Sequence, residues 1–488
     1  YRYVKGRNYM SNNLEINKAV RWSSTAELMS KLVSPITSML LARLLTPEAF
    51  GLIASITMVT SFSDLFTDGG CNKFIIQHTF TDEQDLRRHA TVGFWLNLTI
   101  STIIWLFIVC FRANIAKIIG ISGFENALVV AALSLFMTAF SSMHMALLRK
   151  KLDFKHLFKI RTAATVINLV VSVVLAFWGA GVWAVIFGTL CRDFTYALLF
   201  NLRPIWKPNF FFDFSILKNM FSFSGFTLLE TLMTWFKSNA AILILSGVFT
   251  PFYLGLYKTP ITIDNSIIGL LYSALIPVLY SGLSKVKNQK KEFENLLFRI
   301  QRLMAMIAFP MAMVMLVYSD IVTRILLGSQ WLEVSWFVGL YGCAIVVENV
   351  FCIFCVEAYR AKEKPLVSAL SIAVNNCILC ISIYTCAVYG FKIVCYVTVI
   401  NSLIYYIVQM GIMRFVLKIS PWGMLKNVFP YLGLSFLVGI VSYTIKRSMV
   451  SMDSMLTLLL MSASIITYTG IILLGTKSRS EIVAFVKN

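Results

Sequence analysis

The sequence has few charged residues for its length. Only 14% of its 488 residues are Asp, Glu, Lys or Arg, while 58% are hydrophobic; soluble domains carry about 25% charged residues. A water-soluble chain of this composition could not cover its surface with polar groups, which excludes soluble enzymes and disordered scaffolds. The mean hydropathy is +0.77, and apolar runs of about 20 residues, long enough to cross a hydrocarbon core, recur along the chain. The sequence therefore predicts an integral membrane protein that crosses the bilayer many times.

Acidic residues are the scarcer charge, with 23 Asp and Glu against 43 Lys and Arg. No basic stripe is interleaved with stacking aromatic residues, so we expect no nucleic-acid partner. The basic residues are instead concentrated in alternate loops, the pattern that keeps positive charge on the cytoplasmic side of a membrane. This distribution predicts that both termini, and the loops around residues 149–155 and 285–291, are cytoplasmic.

Catalytic and metal-binding signatures are also missing. Two CxxC pairs lie within apolar runs without neighbouring His, so they are expected to be packing thiols and neither a metal nor a cofactor is predicted: Cys352, Cys355, Cys377 and Cys380. The segment GIILLGTKS at 470–478 has Thr476 where a phosphate loop needs Lys. A membrane polymerase or acyltransferase would need a large loop or a His/Asp group, and the sequence has neither. We therefore do not expect an enzyme.

Fourteen apolar stretches separated by polar breaks predict fourteen transmembrane helices. The expected spans are 24–45, 48–67, 90–111, 126–148, 157–178, 181–201, 217–248, 251–282, 297–318, 334–359, 365–388, 391–414, 427–445 and 454–475. The fold class is thus an all-α polytopic membrane protein.

An internal repeat organises these spans. Residues 41–53 (LARLLTPEAFGLI) and 245–257 (LSGVFTPFYLGLY) share five of thirteen positions, and in both a Thr-Pro pair suits the start of a helix. Two further matching landmarks follow in the same order. The repeat predicts two six-helix lobes with two additional helices after them, and the expected divisions are an N-terminal tail 1–23, an N-lobe 24–202, a linker 203–214, a C-lobe 215–418, helices 13 and 14 in 419–475, and a tail 476–488.

The seventh predicted span carries a polar stripe, which includes Thr234 and Lys237. Lys237 lies about 15 Å from the far end of this span, near mid-membrane. A charged side chain at that depth costs at least about 2.5 kcal/mol, so it is expected to face a partner or a wet cavity. Lys237 is therefore a candidate for binding an anionic substrate. The alternative is an ion pair with Glu230 or a polar seam between packed helices.

Other ionisable residues inside predicted spans give further candidates. Lys31 occupies nearly the repeat-equivalent position of Lys237, although it could instead pair with Glu27 or extend to the membrane surface. Lys258 in the eighth span is a third cationic candidate. The candidates for ion coupling are three carboxylic acids within spans: Asp64, Asp264 and Glu348. Glu348 could equally be a neutral, hydrogen-bonded structural group.

Several segments resemble a known family. The opening RWSSTAELMSKLVSPITSMLLARLLTPEAFGLIA, the DGG at 68–70, ALLRKKLDF at 146–154 and LLGSQW at 326–331 are similar to the polysaccharide transport branch of the multidrug/oligosaccharidyl-lipid/polysaccharide exporter (MOP) superfamily. O-antigen and exopolysaccharide flippases are its nearest members. The resemblance extends over nearly the whole chain, and the segment around 41–53 is its most specific part.

This resemblance implies a two-lobed transporter of the bacterial inner membrane. Such a protein moves an undecaprenyl-diphosphate-linked oligosaccharide from the cytoplasmic to the periplasmic leaflet by alternating access. The implied partners are the lipid-linked oligosaccharide, membrane lipids, and the polymerase and chain-length proteins of the same polysaccharide system. The family has no strict catalytic signature, so no site residue is transferred from it. The alternative is a drug or cation antiporter of the related multidrug branch, which would use an acidic cavity.

Overall fold

A computed structural model describes residues 33–68, 70–202, 204–448 and 454–474. All regular secondary structure in these residues is helical. The helices in chain order are α1 (Val33–Leu44), α2 (Pro47–Asp68), α3 (Cys71–Gln77), α4 (Glu83–Cys110), α5 (Arg112–Ile118), α6 (Glu125–Ala131), α7 (Ser134–Lys150), α8 (Phe154–Phe177), α9 (Val182–Leu202), α10 (Phe214–Ser246), α11 (Pro251–Lys285), α12 (Lys290–Val317), α13 (Ser319–Leu326), α14 (Ser335–Val347), α15 (Phe354–Ala361), α16 (Pro365–Cys386), α17 (Phe391–Ile412), α18 (Pro421–Ser448) and α19 (Ser454–Leu474). Short 3₁₀ segments cover Ser329–Val334 and Ala387–Tyr389, and π-helical segments cover Glu348–Ile353 and Met413–Leu417.

Ten helices or helical runs in the described residues are long and apolar enough to cross a membrane. They coincide with the predicted spans two to six and nine to thirteen. The other four predicted spans fall on α1, α10, α11 and α19. An all-helical, multi-pass membrane protein is therefore confirmed, while the count of fourteen spans stays a prediction.

The helix boundaries show what hydropathy alone misses. Helix α4 begins at Glu83, before the predicted residue 90, because the Asp82 side chain accepts a hydrogen bond from the backbone N–H of Asp85 at 2.6 Å. An N-terminal cap of this kind starts a helix in polar sequence. Helices α2 and α11 begin at Pro47 and Pro251, as the Thr-Pro pairs predict.

The chain divides into two compact units, Tyr1–Gly255 and Leu256–Asn488. Helix α10 and the first residues of α11 belong to the first unit. The expected lobe boundaries at residues 202 and 215 stay predictions. The tails 1–23 and 476–488 lie outside the described residues.

The beginnings of α2 and α11 touch within the first unit, at two glycines. A Cβ atom on Gly51 would lie 1.7 Å from the carbonyl oxygen of Pro251, and one on Gly255 would lie 1.8 Å from that of Pro47. No side chain fits at such distances, so only glycine allows the two backbones to come this close. The contact is reciprocal, and both glycines follow a Thr-Pro pair by the same spacing.

The segment predicted as a linker is attached to the first unit. Trp206 is 5% exposed, and its indole N–H donates to the hydroxyl of Thr91 at 3.2 Å. The indole N–H of Trp95 donates to the carbonyl oxygen of Asn209 at 2.8 Å. These bonds hold residues 206–209 against α4.

The second unit has a closely packed aromatic and aliphatic interior. Trp331, Phe337 and Phe354 are each at most 1% exposed. Helix α12 packs against α14 and α18, and α14 packs against α17. The first polar cluster described below also lies in this unit.

Candidate functional site

Asp264 is the most deeply buried carboxylic acid of the described residues. Its exposed fraction is 0%, and neither carboxyl oxygen has a hydrogen-bond partner there. It interacts electrostatically with Tyr341 and Cys343. The neighbouring Asn265 donates to the hydroxyl of Tyr341 at 3.2 Å. A buried carboxyl without a partner costs folding free energy, so it is a candidate for a functional role.

Glu348 lies close to the same tyrosine, since both Glu348 and Asp264 interact electrostatically with Tyr341. Glu348 accepts a hydrogen bond from the Ser402 hydroxyl at 3.3 Å. It also begins the π-helical segment Glu348–Ile353. π-Helical turns within α-helices are frequent at functional sites because they change the direction of side chains. The structure thus brings Asp264 and Glu348 into one polar cluster.

Further buried polar groups extend from this cluster along α16 and α17. Asn401 donates to Asn375 at 3.1 Å, and Gln409 donates to Ser371 at 3.0 Å. The hydroxyl of Tyr359 then donates to Gln409 at 3.1 Å. A row of buried, mutually bonded polar groups is costly to build and specifies one arrangement of the helices.

A second charged cluster lies within the first unit. Arg192 donates from Nε to Asp193 at 2.8 Å and from Nη2 at 3.2 Å. Asp64 interacts electrostatically with this guanidinium. Asp193 is buried and the Arg192 side chain is 36% exposed, so a buried carboxylate holds a guanidinium that stays partly exposed. Arg192 is a charged residue inside the predicted apolar span 181–201, and this position alone could have marked it as a candidate from the sequence.

The four predicted substrate-binding residues have different surroundings. Thr234 and Lys237 are exposed on α10, and Lys258 is half-buried on α11. Lys31 and the side chain of Glu230 lie outside the described residues. The predicted role of these residues therefore stays a prediction.

An apolar groove lies on the second unit between α12, α13 and α19. Its volume is about 490 Å³. Pro310 and Met311 line it from α12, Ile325 from α13, and Ile465 and Tyr468 from α19. A groove of this size accommodates a hydrocarbon chain.

An open cleft of about 670 Å³ lies at the end of the second unit that carries the basic loops. Arg360, Glu357 and Glu363 contribute its charged groups, and Tyr280 contributes an aromatic ring. The Lys287 ammonium lowers the pKa of the Glu363 carboxyl through a hydrogen bond and its charge. The Glu363 carboxyl is therefore ionised at neutral pH.

The described residues contain no group of three or more His, Cys, Asp or Glu that could hold a metal ion. The cysteines of the two CxxC pairs are free thiols, with Cys352 and Cys355 buried and Cys377 exposed.

Solved structures of membrane transport proteins share this fold. The structure resembles that of "Lipid II flippase MurJ, inward closed conformation" with a TM-score of 0.71 and 15% identity, covering 92% of this chain and 98% of that one. It also resembles an inward-facing multidrug resistance MATE family transporter, with a TM-score of 0.61 and 13% identity over 81% and 95% of the two chains. At these identities the similarity shows the fold.

The chain belongs to the polysaccharide biosynthesis protein family, whose model matches residues 40–336. This confirms the resemblance to the polysaccharide transport branch of the superfamily. The family and the structural neighbours are membrane transport proteins rather than enzymes.

Curated relatives agree with this family. "Lipopolysaccharide biosynthesis protein WzxC" of Escherichia coli (strain K12) is 20% identical over 314 residues, which are 64% of this chain and 63% of that protein. "Succinoglycan biosynthesis transport protein ExoT" of Rhizobium meliloti (strain 1021) is 20% identical over 327 residues, 66% and 64% of the two chains. An "Uncharacterized membrane protein in cps region" of Klebsiella pneumoniae is 20% identical over 66% of each chain. The matched part is just under two thirds of these relatives' length.

Proposed function

We propose that this protein is a flippase that moves an undecaprenyl-diphosphate-linked oligosaccharide across the bacterial inner membrane by alternating access. The cargo would be an O-antigen or exopolysaccharide repeat unit, moved from the cytoplasmic to the periplasmic leaflet. The observation that carries the proposal is that the second unit combines an apolar groove of about 490 Å³ with a buried polar cluster around Asp264 and Glu348. A lipid-linked sugar needs both, because its tail avoids water and its head avoids hydrocarbon.

The groove suits the polyprenyl tail. Aliphatic and methionine side chains form most of its wall, and flexible methionines adapt to an irregular hydrocarbon surface. A tail held there would stay in an apolar environment while the head group crosses.

Blocking this groove tests the proposal. Ile465→Trp, which places a bulky ring in the groove, should reduce transport of the lipid-linked oligosaccharide at least about tenfold, because filling a hydrophobic pocket displaces its ligand. The matched control is Ile466→Trp on the same helix, since Ile466 is 69% exposed and does not line the groove. Transport is measured in a deletion strain that expresses each variant at equal abundance. Equal transport by both variants would contradict a role of the groove in holding the tail.

We infer that two six-helix lobes perform the alternating access. Several pairs of corresponding positions support this repeat. Leu152 and Glu363, which precede α8 and α16 by equivalent spacings, both have φ of 57°. Gly179 and Gly390, which precede α9 and α17, also both have positive φ, at 80° and 107°. Local conformations that recur in the same order favour a common ancestral unit.

Cationic side chains would bind the diphosphate. Lys31, Lys237 and Lys258 are the proposed contacts, with Thr234 as a hydroxyl donor beside Lys237. Arg192 is an additional candidate, because its guanidinium has further N–H donors beyond the two that bond Asp193.

Carboxylic acids would couple transport to an ion. Asp264 and Glu348 are proposed to bind a proton or cation in the second unit, and Asp64 is proposed for the first unit. The multidrug antiporter alternative also invokes these acids, but the curated relatives are named for polysaccharide systems, which favours the flippase. The polymerase and chain-length proteins of such a system are the proposed partners.

The proposed direction of transport requires both termini in the cytoplasm. Single cysteines at Ser284 and Ser478 should be shielded from a membrane-impermeant thiol reagent added to intact cells, after reactive native thiols are masked. A cysteine at Ser122 should be labelled, because it lies in a loop with few basic residues. Labelling of the first two positions with protection of Ser122 would reverse the topology. Ser478 lies outside the described residues, whereas Ser284 lies within α11, so only the result at Ser284 can be related to the structure.

A further inference from the structure

The cleft at the basic-loop end of the second unit takes no part in the transport steps proposed above. It lies between the end of α11, the end of α15 and the start of α16, and Ile276, Tyr280, Glu357, Arg360, Glu363 and Pro365 line it. Its volume of about 670 Å³ is within the range of about 300–1,000 Å³ typical of small-molecule sites.

Two bonds fix the rim of this cleft. The Lys287 ammonium donates to the Glu363 carboxylate at 2.5 Å. From the turn after α15, the Lys362 ammonium donates back to the backbone carbonyl of Lys287. Lys362 also lies over the ring of Phe293, 4.5 Å from its centre. The turn after α15 is therefore attached to the segment after α11, and the cleft is preorganised.

A buried carboxylate orients the charged group inside the cleft. The Glu357 side chain is 8% exposed, whereas the Arg360 side chain bonded to it at 2.8 Å is 50% exposed. Burying a carboxylate is costly unless it is paired. Here the paired group remains open to the cleft, so Glu357 positions the guanidinium and leaves N–H donors available to a ligand.

The corresponding turn of the first unit keeps the arginine and a lysine–glutamate bridge, from Lys151 to Glu83 at 3.1 Å, but lacks both glutamates of the cleft. Arg149 precedes the positive-φ residue Leu152 by the same spacing as Arg360 precedes Glu363. The position equivalent to Glu357 is Ala146, and the one equivalent to Glu363 is Leu152. A lysine–glutamate bridge across the turn is thus common to both units, whereas the buried Glu357 that orients the arginine stands only in the second.

We propose that this cleft binds sugar residues of the lipid-linked oligosaccharide before they cross, an inference that rests on the proposed flippase function. Two ion pairs, Arg360 with Glu357 and Lys287 with Glu363, balance each other. The Lys362 ammonium is engaged by the Lys287 carbonyl and the Phe293 ring and does not line the cleft, so the cleft does not favour a diphosphate. Donors and acceptors side by side instead match sugar hydroxyls, which donate and accept. The ring of Tyr280, whose residue is 45% exposed, offers a flat surface for the C–H face of a pyranose. A site built to bond hydroxyl groups discriminates strongly against molecules that lack them.

Binding measurements on two probes test this site. The full chain in nanodiscs is titrated with the lipid-linked oligosaccharide that accumulates when the gene is deleted, and separately with undecaprenyl diphosphate. Tyr280→Ala and Arg360→Lys should each weaken binding of the oligosaccharide about tenfold or more. Arg360→Lys keeps the charge but loses the planar pair of donors. Binding of undecaprenyl diphosphate should stay unchanged in both variants, because that probe has no sugar.

The matched control is Tyr384→Ala, since Tyr384 is 73% exposed and lies outside the cleft. It should bind both probes like the unaltered protein. Equal weakening for both probes, or no weakening for either, would overturn the sugar site. If the unaltered protein binds neither probe, the proposed flippase function fails first and the sugar site fails with it.

Discussion

Gly255→Ala should remove most of the folded protein and all transport. The new methyl group would lie 1.8 Å from the carbonyl oxygen of Pro47, well inside van der Waals contact. Backbone atoms on both sides cannot move aside as a flexible side chain can, so α2 and α11 must separate. Overpacking typically lowers the free energy of unfolding by about 1–3 kcal/mol, and we expect a clash with backbone atoms to lie at the upper end of that range. Gly51→Ala should behave in the same way, because the contact is reciprocal.

Gly269→Ala on the same helix is the matched control. No atom lies within 4 Å of a Cβ placed there, and alanine is a better helix former than glycine by about 1 kcal/mol. This variant should be as abundant as the unaltered protein or more so. Abundance and thermal unfolding of the purified variants provide the comparison. Normal stability and transport of Gly255→Ala would show that the close contact is not maintained in the membrane.

Asp264→Asn should abolish ion-coupled transport while the protein is inserted at normal levels. The amide has nearly the shape of the carboxyl but cannot ionise, and a neutral group is cheaper to bury than a charge. If Asp264 exchanges a proton or cation, the variant should lose transport by more than about tenfold. It should also lose its response to an imposed pH or sodium gradient. Glu348→Gln, in the same cluster, should show the same loss.

A structural role for Asp264 predicts a different pattern. Abundance would then change with the substitution, while transport per molecule and its response to the gradient would stay normal. The comparison is made in proteoliposomes, with the amount of inserted protein measured for each variant. A retained gradient response in both Asp264→Asn and Glu348→Gln would remove this cluster from the coupling mechanism.

The sequence predicted those features that depend on local chemistry. Pro47 and Pro251 begin helices because proline at the first helical position needs no N–H partner, and this requirement is visible in the sequence. Carboxylic acids in mid-span, such as Asp264 and Glu348, could be chosen as candidate site residues from the sequence. Burying them in a membrane is costly whichever neighbours the helix packs against. The family resemblance was predicted correctly from a few short segments.

Features that depend on contacts between distant segments were not predictable from hydropathy. The glycine contact joins residues 51 and 255, which the repeat shows as equivalent positions without indicating that they touch. Arg192 was visible as a charge in a span, but its bidentate bond to Asp193 required the side-chain arrangement. The cleft beside Arg360 requires three helix ends to converge. In each case the information lies in packing rather than in local propensity.

The location of the lipid-linked oligosaccharide after deletion of the gene tests the central claim most directly. The claim is that this protein moves that molecule from the cytoplasmic to the periplasmic leaflet. Intact spheroplasts of the deletion strain are treated with an impermeant glycan-cleaving or glycan-labelling reagent, and the protected and accessible fractions are compared with a strain that carries the gene on a plasmid. We expect the lipid-linked oligosaccharide to accumulate in the protected, cytoplasmic leaflet of the deletion strain and to become accessible when the gene is restored. An accessible pool of normal size in the deletion strain, together with normal surface polysaccharide and increased drug sensitivity, would contradict the flippase and favour the exporter.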